Sequence, residues 1–172
     1  MGLWKSKRKL VPWLKQELEK IGWGVFVPTF PTPENQTLIN WLNVFKDYEK
    51  YLNEETIIIG HSLGCLFILD LLEKSNKKIN STFLVAGWTG LLNNPIDKIN
   101  KTFVDKNFNW EKIKQNCDNF LIFNSNNDQY IKLDLGKNLD SGLIIIKNAG
   151  HFNKKAGYAK FEILLKHIKK VN

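Results

Sequence analysis

The sequence predicts an α/β fold, a doubly wound and mostly parallel sheet with flanking helices in a three-layer sandwich, and three observations carry that expectation. Short apolar, β-branched runs (TIII at 56–59, STFLVAG at 81–87, NFLIFN at 119–124, LIIIK at 143–147) alternate with stretches of helical hydrophobic spacing. The run from Thr56 to Ile59 is unbroken by polar residues, which suits a strand buried on both faces of a parallel sheet. That strand leads directly into Gly60-His61-Ser62-Leu63-Gly64, and a helical pattern starts again near Cys65.

In chain order, PWLKQELEK at 12–20 reads as a helix with Pro12 near its start and Gly22 just past its end. VFVPTF at 25–30 is expected to be a strand. Pro31-Thr32-Pro33 then forces a loop, before Leu38, Trp41, Leu42 and Phe45 return to helical spacing. A helix from about Cys65 to Glu73 precedes the strand at 81–87. A loop-rich stretch containing Pro95 and a short helix at Trp110 to Asn116 precede the strand at 119–124. The last strand ends at Asn148-Ala149-Gly150-His151. A helix from about Tyr158 to Val171 closes the chain, with Phe161, Leu164, Leu165 and Ile168 inward and His167 outward. With 172 residues, 43% of them apolar, and no repeat or linker, the expectation is one domain over 1–172.

Composition narrows the function classes. Lys and Arg exceed Asp and Glu by 25 to 17, a net charge of +8. The cations are scattered, with Lys77-Lys78, Lys154-Lys155 and Lys169-Lys170 as separate pairs and no aromatic-interleaved basic stretch, so no nucleic-acid partner is expected. No segment approaches the length of a membrane span, so no membrane partner is expected either. Two cysteines, Cys65 and Cys117, make neither a disulfide framework nor a metal cluster and fit a reducing cytoplasm.

The pentapeptide at 60–64 matches G-x-S-x-G, in which small flanking residues permit a sharp strand-to-helix turn and hold the serine exposed; both glycines are expected to have a steric role. Chance supplies the pattern in roughly one chain in twenty of this length, so the strand before it and the helix after it carry the assignment of Ser62 as nucleophile. A serine hydroxyl needs a base, and the base needs an acid that fixes its tautomer. His167 falls on an outer helix face and His61 neighbours the serine, so a structural role fits each. His151 follows a strand at the C-terminal edge of the sheet, where ligand sites form. Asp128 lies in the loop after the strand at 119–124, whereas Asp118 precedes that strand at the opposite edge and Asp134 and Asp140 read as solvated. The order Ser62, Asp128, His151 is one of the known triad orders. Leu63 N–H, at the start of the following helix, is a candidate oxyanion donor. Trp88 and Phe152 follow strand ends and either line a substrate pocket or cover the core. Cys65 is expected to pack beneath the turn as a small hydrophobe.

PWLKQELEK, PTFPTPENQTLINWL, ETIIIGHSLG, Gly87-Trp88-Thr89, WEKIKQNC, SNNDQYI and the closing GHF together resemble the small serine hydrolase family of the α/β-hydrolase fold, which includes retinoblastoma-binding protein 9 and the YdeN-type hydrolases. The resemblance runs from about Pro12 to the C-terminus. It implies hydrolysis of a carboxylic ester or related acyl bond of a small molecule, with no metal or organic cofactor, and it places Ser62, Asp128 and His151 on the triad positions. It also implies a strand and an H-G-x-x-G-type loop ahead of Trp13, and nothing in Met1 to Val11 has that form. That strand would lie between Val25–Phe30 and Thr56–Ile59, so an unpaired edge or a gap is expected there, and the loop would supply the second oxyanion donor. The favoured account is a chain that starts downstream of its true start. The others are a gap filled by another segment or subunit, or a hydrolase-fold binding protein without turnover.

Overall fold

The computed structural model describes residues 10–131, 139 and 141–171. Helix α1 (Leu10–Glu19) buries Leu14 and Leu18, four residues apart and therefore on one face. Helix α2 (Leu38–Phe45) begins at Thr37, whose hydroxyl accepts the Asn40 N–H, and it buries Trp41 and Phe45 before a 3₁₀ turn at Lys46–Tyr51. Four strands follow, β1 (Ile57–His61), β2 (Ile79–Val85), β3 (Cys117–Ser125) and β4 (Gly142–Ile146), all parallel and adjacent in the order β1-β2-β3-β4. Between them lie α3 (Leu63–Lys74), α4 (Ile96–Val104) and α5 (Trp110–Gln115), and α6 (Glu162–Ile168) follows β4.

Helices cover both faces of the sheet. On one side Phe67 of α3 meets Trp41 and Phe45 of α2, and Trp41 packs edge-on against Phe103 of α4. On the other, Phe161 and His167 of the α6 segment pack against Phe123 of β3. His167, expected outward, thus turns its ring onto the core. The loop-rich stretch around Pro95 contains a further helix, α4, whose apolar residues Phe103 and Val104 are buried. Asp134 and Asp140, read as solvated, lie outside the described residues. Among the described residues no helix is long and apolar enough to cross a membrane.

Two expectations at the start of the sheet are overturned. Val25–Phe30 forms no strand and is not part of the sheet. Pro28 removes a ladder donor from its middle, and the segment is anchored by side chains instead. Phe30 stacks on Trp41 at 4.6 Å, Phe26 on Tyr51 at 4.3 Å, and Lys15 Nζ donates to the Val25 carbonyl at 2.9 Å. The run at 56–59 is not buried on both faces: β1 pairs only with β2 among the described strands, and Ile57, Ile58 and Ile59 are each half-buried. Among the described residues no strand stands on the other side of β1, where the resemblance implies an edge or a gap.

The register brings four strand ends to one edge. His61 lies beside Val85, Val85 beside Phe123, and Ser125 beside Ile146. Ser62, the 125–128 loop and the 148–151 loop all emerge there. Asp118 lies within β3, not before it, and pairs with Lys78 at 2.5 Å at the opposite end of that strand.

Candidate active site

Ser62 has φ +56° and ψ −124°, a region that a residue with a Cβ rarely enters. It is held there from both sides: its N–H donates to the Val85 carbonyl at 2.9 Å and its carbonyl accepts the Cys65 N–H at 2.9 Å. The chain reverses so tightly that a Cβ on Gly60 would come within 2.6 Å of Ile68 Cδ1 and 2.9 Å of the Gly64 carbonyl carbon and oxygen. The expected steric role of Gly64 itself is not found, since a Cβ there would meet nothing within 4 Å. Gly64 contributes the backbone that Gly60 must make room for.

This asymmetry makes an expected result. Gly60→Ala should lower stability by about 2–3 kcal/mol and distort the turn, because one of the clashing partners is backbone and cannot rotate away. Gly64→Ala, near the start of α3, should be neutral or stabilising by up to about 1 kcal/mol. Paired urea denaturation curves check this, and equal losses in the two variants would contradict it.

Ser62, His151 and Asp128 come together at the sheet edge. His151 Nε2 is 3.0 Å from Ser62 Oγ, and His151 Nδ1 is 2.8 Å from Asp128 Oδ2. The second Asp128 oxygen, Oδ1, accepts the Tyr130 N–H at 2.9 Å, so both are occupied. The Asp128 side chain is 3% exposed and that of His151 13%. With Nδ1–H donating to the carboxylate, Nε2 keeps its lone pair for the Ser62 hydroxyl proton. Leu63 is the first residue of α3, a position whose N–H has no partner within the helix. The expected second oxyanion donor, sought in Met1 to Val11, falls almost wholly outside the described residues.

Cys65, one turn further along, is fully buried, with its thiol donating to the Val85 carbonyl at 3.4 Å. Burial pushes that thiol well above the ordinary cysteine range, so it presents no thiolate. It packs under the turn, as expected.

The arrangement matches known proteins along nearly the whole chain. The profile of a family described as serine hydrolase matches residues 13–170. The chain belongs to the serine hydrolase family. YdeN of Bacillus subtilis is 29% identical over 159 residues, covering 89% of this chain and 83% of YdeN. The rat (Rattus norvegicus) serine hydrolase RBBP9 is 28% identical over 162 residues, covering 91% of this chain and 83% of its own. The crystal structure of the B. subtilis ydeN gene product superposes with a TM-score of 0.89 at 26% identity, over 96% of this chain and 91% of that one. An esterase domain from a Rhodothermus marinus protein shares the fold alone, with a TM-score of 0.66 at 17% identity over 95% of this chain and 81% of that one.

Within this member of the serine hydrolase family, Trp88 and Phe152 do not line an open pocket. They are 3% and 1% exposed, and Phe152 packs against Tyr158 and Phe161. Of the two roles open to them from sequence, covering the core is the one they occupy, because side chains so enclosed offer an incoming group almost no surface. Two residues to which sequence reasoning gave no part in the site stand against His151. Tyr130, 40% exposed, sets its ring edge-on to His151 with centroids 5.0 Å apart. His61 Nε2 donates to the His151 carbonyl at 2.9 Å, with the two rings 4.9 Å apart. Adjacency to Ser62 was the only sequence signal for His61, and adjacency alone does not show which way a side chain turns.

Proposed function

We propose that the protein hydrolyses a carboxylic ester or related acyl bond of a small molecule through an acyl-serine intermediate. The observation that carries this is the single imidazole bridging Ser62 Oγ and Asp128 Oδ2 at 3.0 and 2.8 Å. His151 Nε2 takes the Ser62 hydroxyl proton as Oγ attacks the acyl carbon, and the imidazolium so formed is stabilised by Asp128. Leu63 N–H donates to the developing oxyanion. The tetrahedral intermediate collapses with the C–O bond to the alcohol breaking, and His151 returns its proton to the departing alkoxide. Water then attacks the acyl-serine. His151 accepts a proton from that water and gives it back to Ser62 Oγ as the carboxylic acid leaves. Each step uses only these side chains, the ester and water. Tyr130, exposed beside the imidazole, supplies apolar surface for the acyl or alcohol group.

The test is intact-mass detection of a fluorophosphonate adduct on the full chain, with Ser62→Ala alongside. A single adduct on the wild type that is lost in Ser62→Ala is the expected result. A folded wild type that takes no adduct would overturn the enzyme reading in favour of a binding protein.

A further inference from the structure

We propose that Ser125, Asn126 and Asn127 are positioning residues: together with Asp128 they form a four-residue clasp whose side chains grip four consecutive residues of the histidine loop. The inference rests on His151 being the base that serves Ser62. Asn126 Oδ1 accepts the Asn148 N–H at 2.8 Å, Ser125 Oγ accepts the Ala149 N–H at 3.0 Å, and Asn127 Oδ1 accepts the Gly150 N–H at 2.8 Å. Asp128 Oδ2 then takes the next residue along, through His151 Nδ1. Three successive backbone donors and the imidazole are thus met by four successive side chains of the neighbouring strand end.

Sheet pairing does not account for this. The ladder between β3 and β4 closes with Ser125 opposite Ile146 and a long bond of 3.4 Å from the Asn126 N–H to the Ile146 carbonyl. Beyond that point the two chains diverge into loops, and side chains take over from backbone. The loop they hold is not at rest: Asn148, Gly150 and Phe152 all have positive φ, at 56°, 52° and 48°. A backbone alternating into the left-handed region in this way keeps its shape only where its surroundings fix it.

Ser125 is the keystone. Its hydroxyl is buried, accepts from the fully buried Ala149 N–H, and donates to Asn127 Oδ1 at 2.7 Å, which fixes the oxygen that receives Gly150. From the opposite side His61 holds the His151 carbonyl. The imidazole is therefore set by hydrogen bonds to the backbone on both sides of its own Cα, as well as by its carboxylate. A His151 displaced by about 1 Å would leave the base without a productive line to Ser62 Oγ, a misplacement that costs on the order of a hundredfold in rate.

The experiment compares fluorophosphonate labelling kinetics of wild type, Ser125→Ala, Asn127→Ala and Asn127→Asp, each well below its melting temperature. The aspartate keeps an acceptor oxygen for both Gly150 N–H and the Ser125 hydroxyl. Expected is a fall of about tenfold to a hundredfold in the limiting labelling rate of Ser125→Ala and Asn127→Ala, with the half-saturating probe concentration unchanged and most of the rate restored in Asn127→Asp. Merely structural residues would lower the melting temperature and leave the limiting rate alone. Wild-type rates in both alanine variants would overturn the clasp. If Ser125→Ala fails to fold, Asn127, at the exposed rim, carries the test with its aspartate counterpart. Absence of labelling in the wild type is a separate outcome, which removes the reading on which the clasp rests.

Discussion

His151→Ala is expected to reduce kcat for an activated aryl ester by about four orders of magnitude or more, with little change in KM. The imidazole is the only group described within hydrogen-bond reach of Ser62 Oγ, at 3.0 Å, and without it the hydroxyl keeps its proton. Asp128→Asn should approach the same loss by a different route. An amide presenting N–H toward Nδ1 favours the tautomer with the proton on Nε2, which then faces Ser62 with a donor where an acceptor is needed. Because the three side chains act as a unit, the double variant should be little worse than His151→Ala alone. Steady-state hydrolysis by all three variants checks this. A His151→Ala enzyme that keeps a tenth of the wild-type kcat would rule out its role as base.

The candidate site was more legible in the sequence than the fold around it, and the reason is local. The turn at 60–64 needs a particular backbone, and its glycine, its strand and its helix all lie within a few residues of Ser62. His151 and Asp128 follow from the rule that loops after parallel strands meet at one edge, which requires only that the strands be recognised. The failures concern what cannot be read from one segment. The apolar run at 25–30 suggested a strand that does not form, and the run at 56–59 did not reveal that, among the described strands, β1 has a neighbour on one side only. Burial on both faces depends on neighbours that an apolar run does not name.

The same limit explains the aromatic residues. A phenylalanine after a strand end at the site edge has equal reason to face the core or the cleft, and Phe152 faces the core because Tyr158 and Phe161 enclose it. The hydrogen bonds from Ser125, Asn126 and Asn127 were hidden for another reason. Small polar residues in a loop are expected for turn formation alone, and only the register of β3 against β4 shows that they face a second loop. Asp70 left even less trace: in the sequence it is one acidic residue in an apolar helix, and its partner stands 36 residues away.

Lys106→Met is expected to cost about 2–3 kcal/mol of stability at pH 7.5, of which up to about 2 is the cost of keeping Asp70 protonated. Asp70 is wholly buried on α3, its Oδ1 bonded to the Lys106 ammonium and its Oδ2 without a hydrogen-bond partner among the described residues. Lys106 also binds Glu73 at 2.9 Å, and Glu73 accepts the Asn109 N–H at 2.6 Å, so the lysine joins α3 to the chain between α4 and α5. Burial pushes the Asp70 carboxyl up to about 6, and Lys106 restrains that rise. A folded-state value above the unfolded one, near 4, means that the native protein holds more protons between those limits. Stability therefore falls as pH rises from about 4 to about 6. Removing Lys106 drives the carboxyl further upward, so the Lys106→Met deficit should be large at pH 7.5 and shrink toward pH 5 as Asp70 protonates. Asp70→Leu combined with Lys106→Met removes the stranded charge and should recover most of the loss. Urea denaturation of the three proteins at both pH values decides the matter. A deficit that is the same at pH 5 and 7.5, or a double variant no better than the single one, would show that Lys106 stabilises by its packing on the Phe108 ring, 4.5 Å from the ammonium, and not by compensating Asp70.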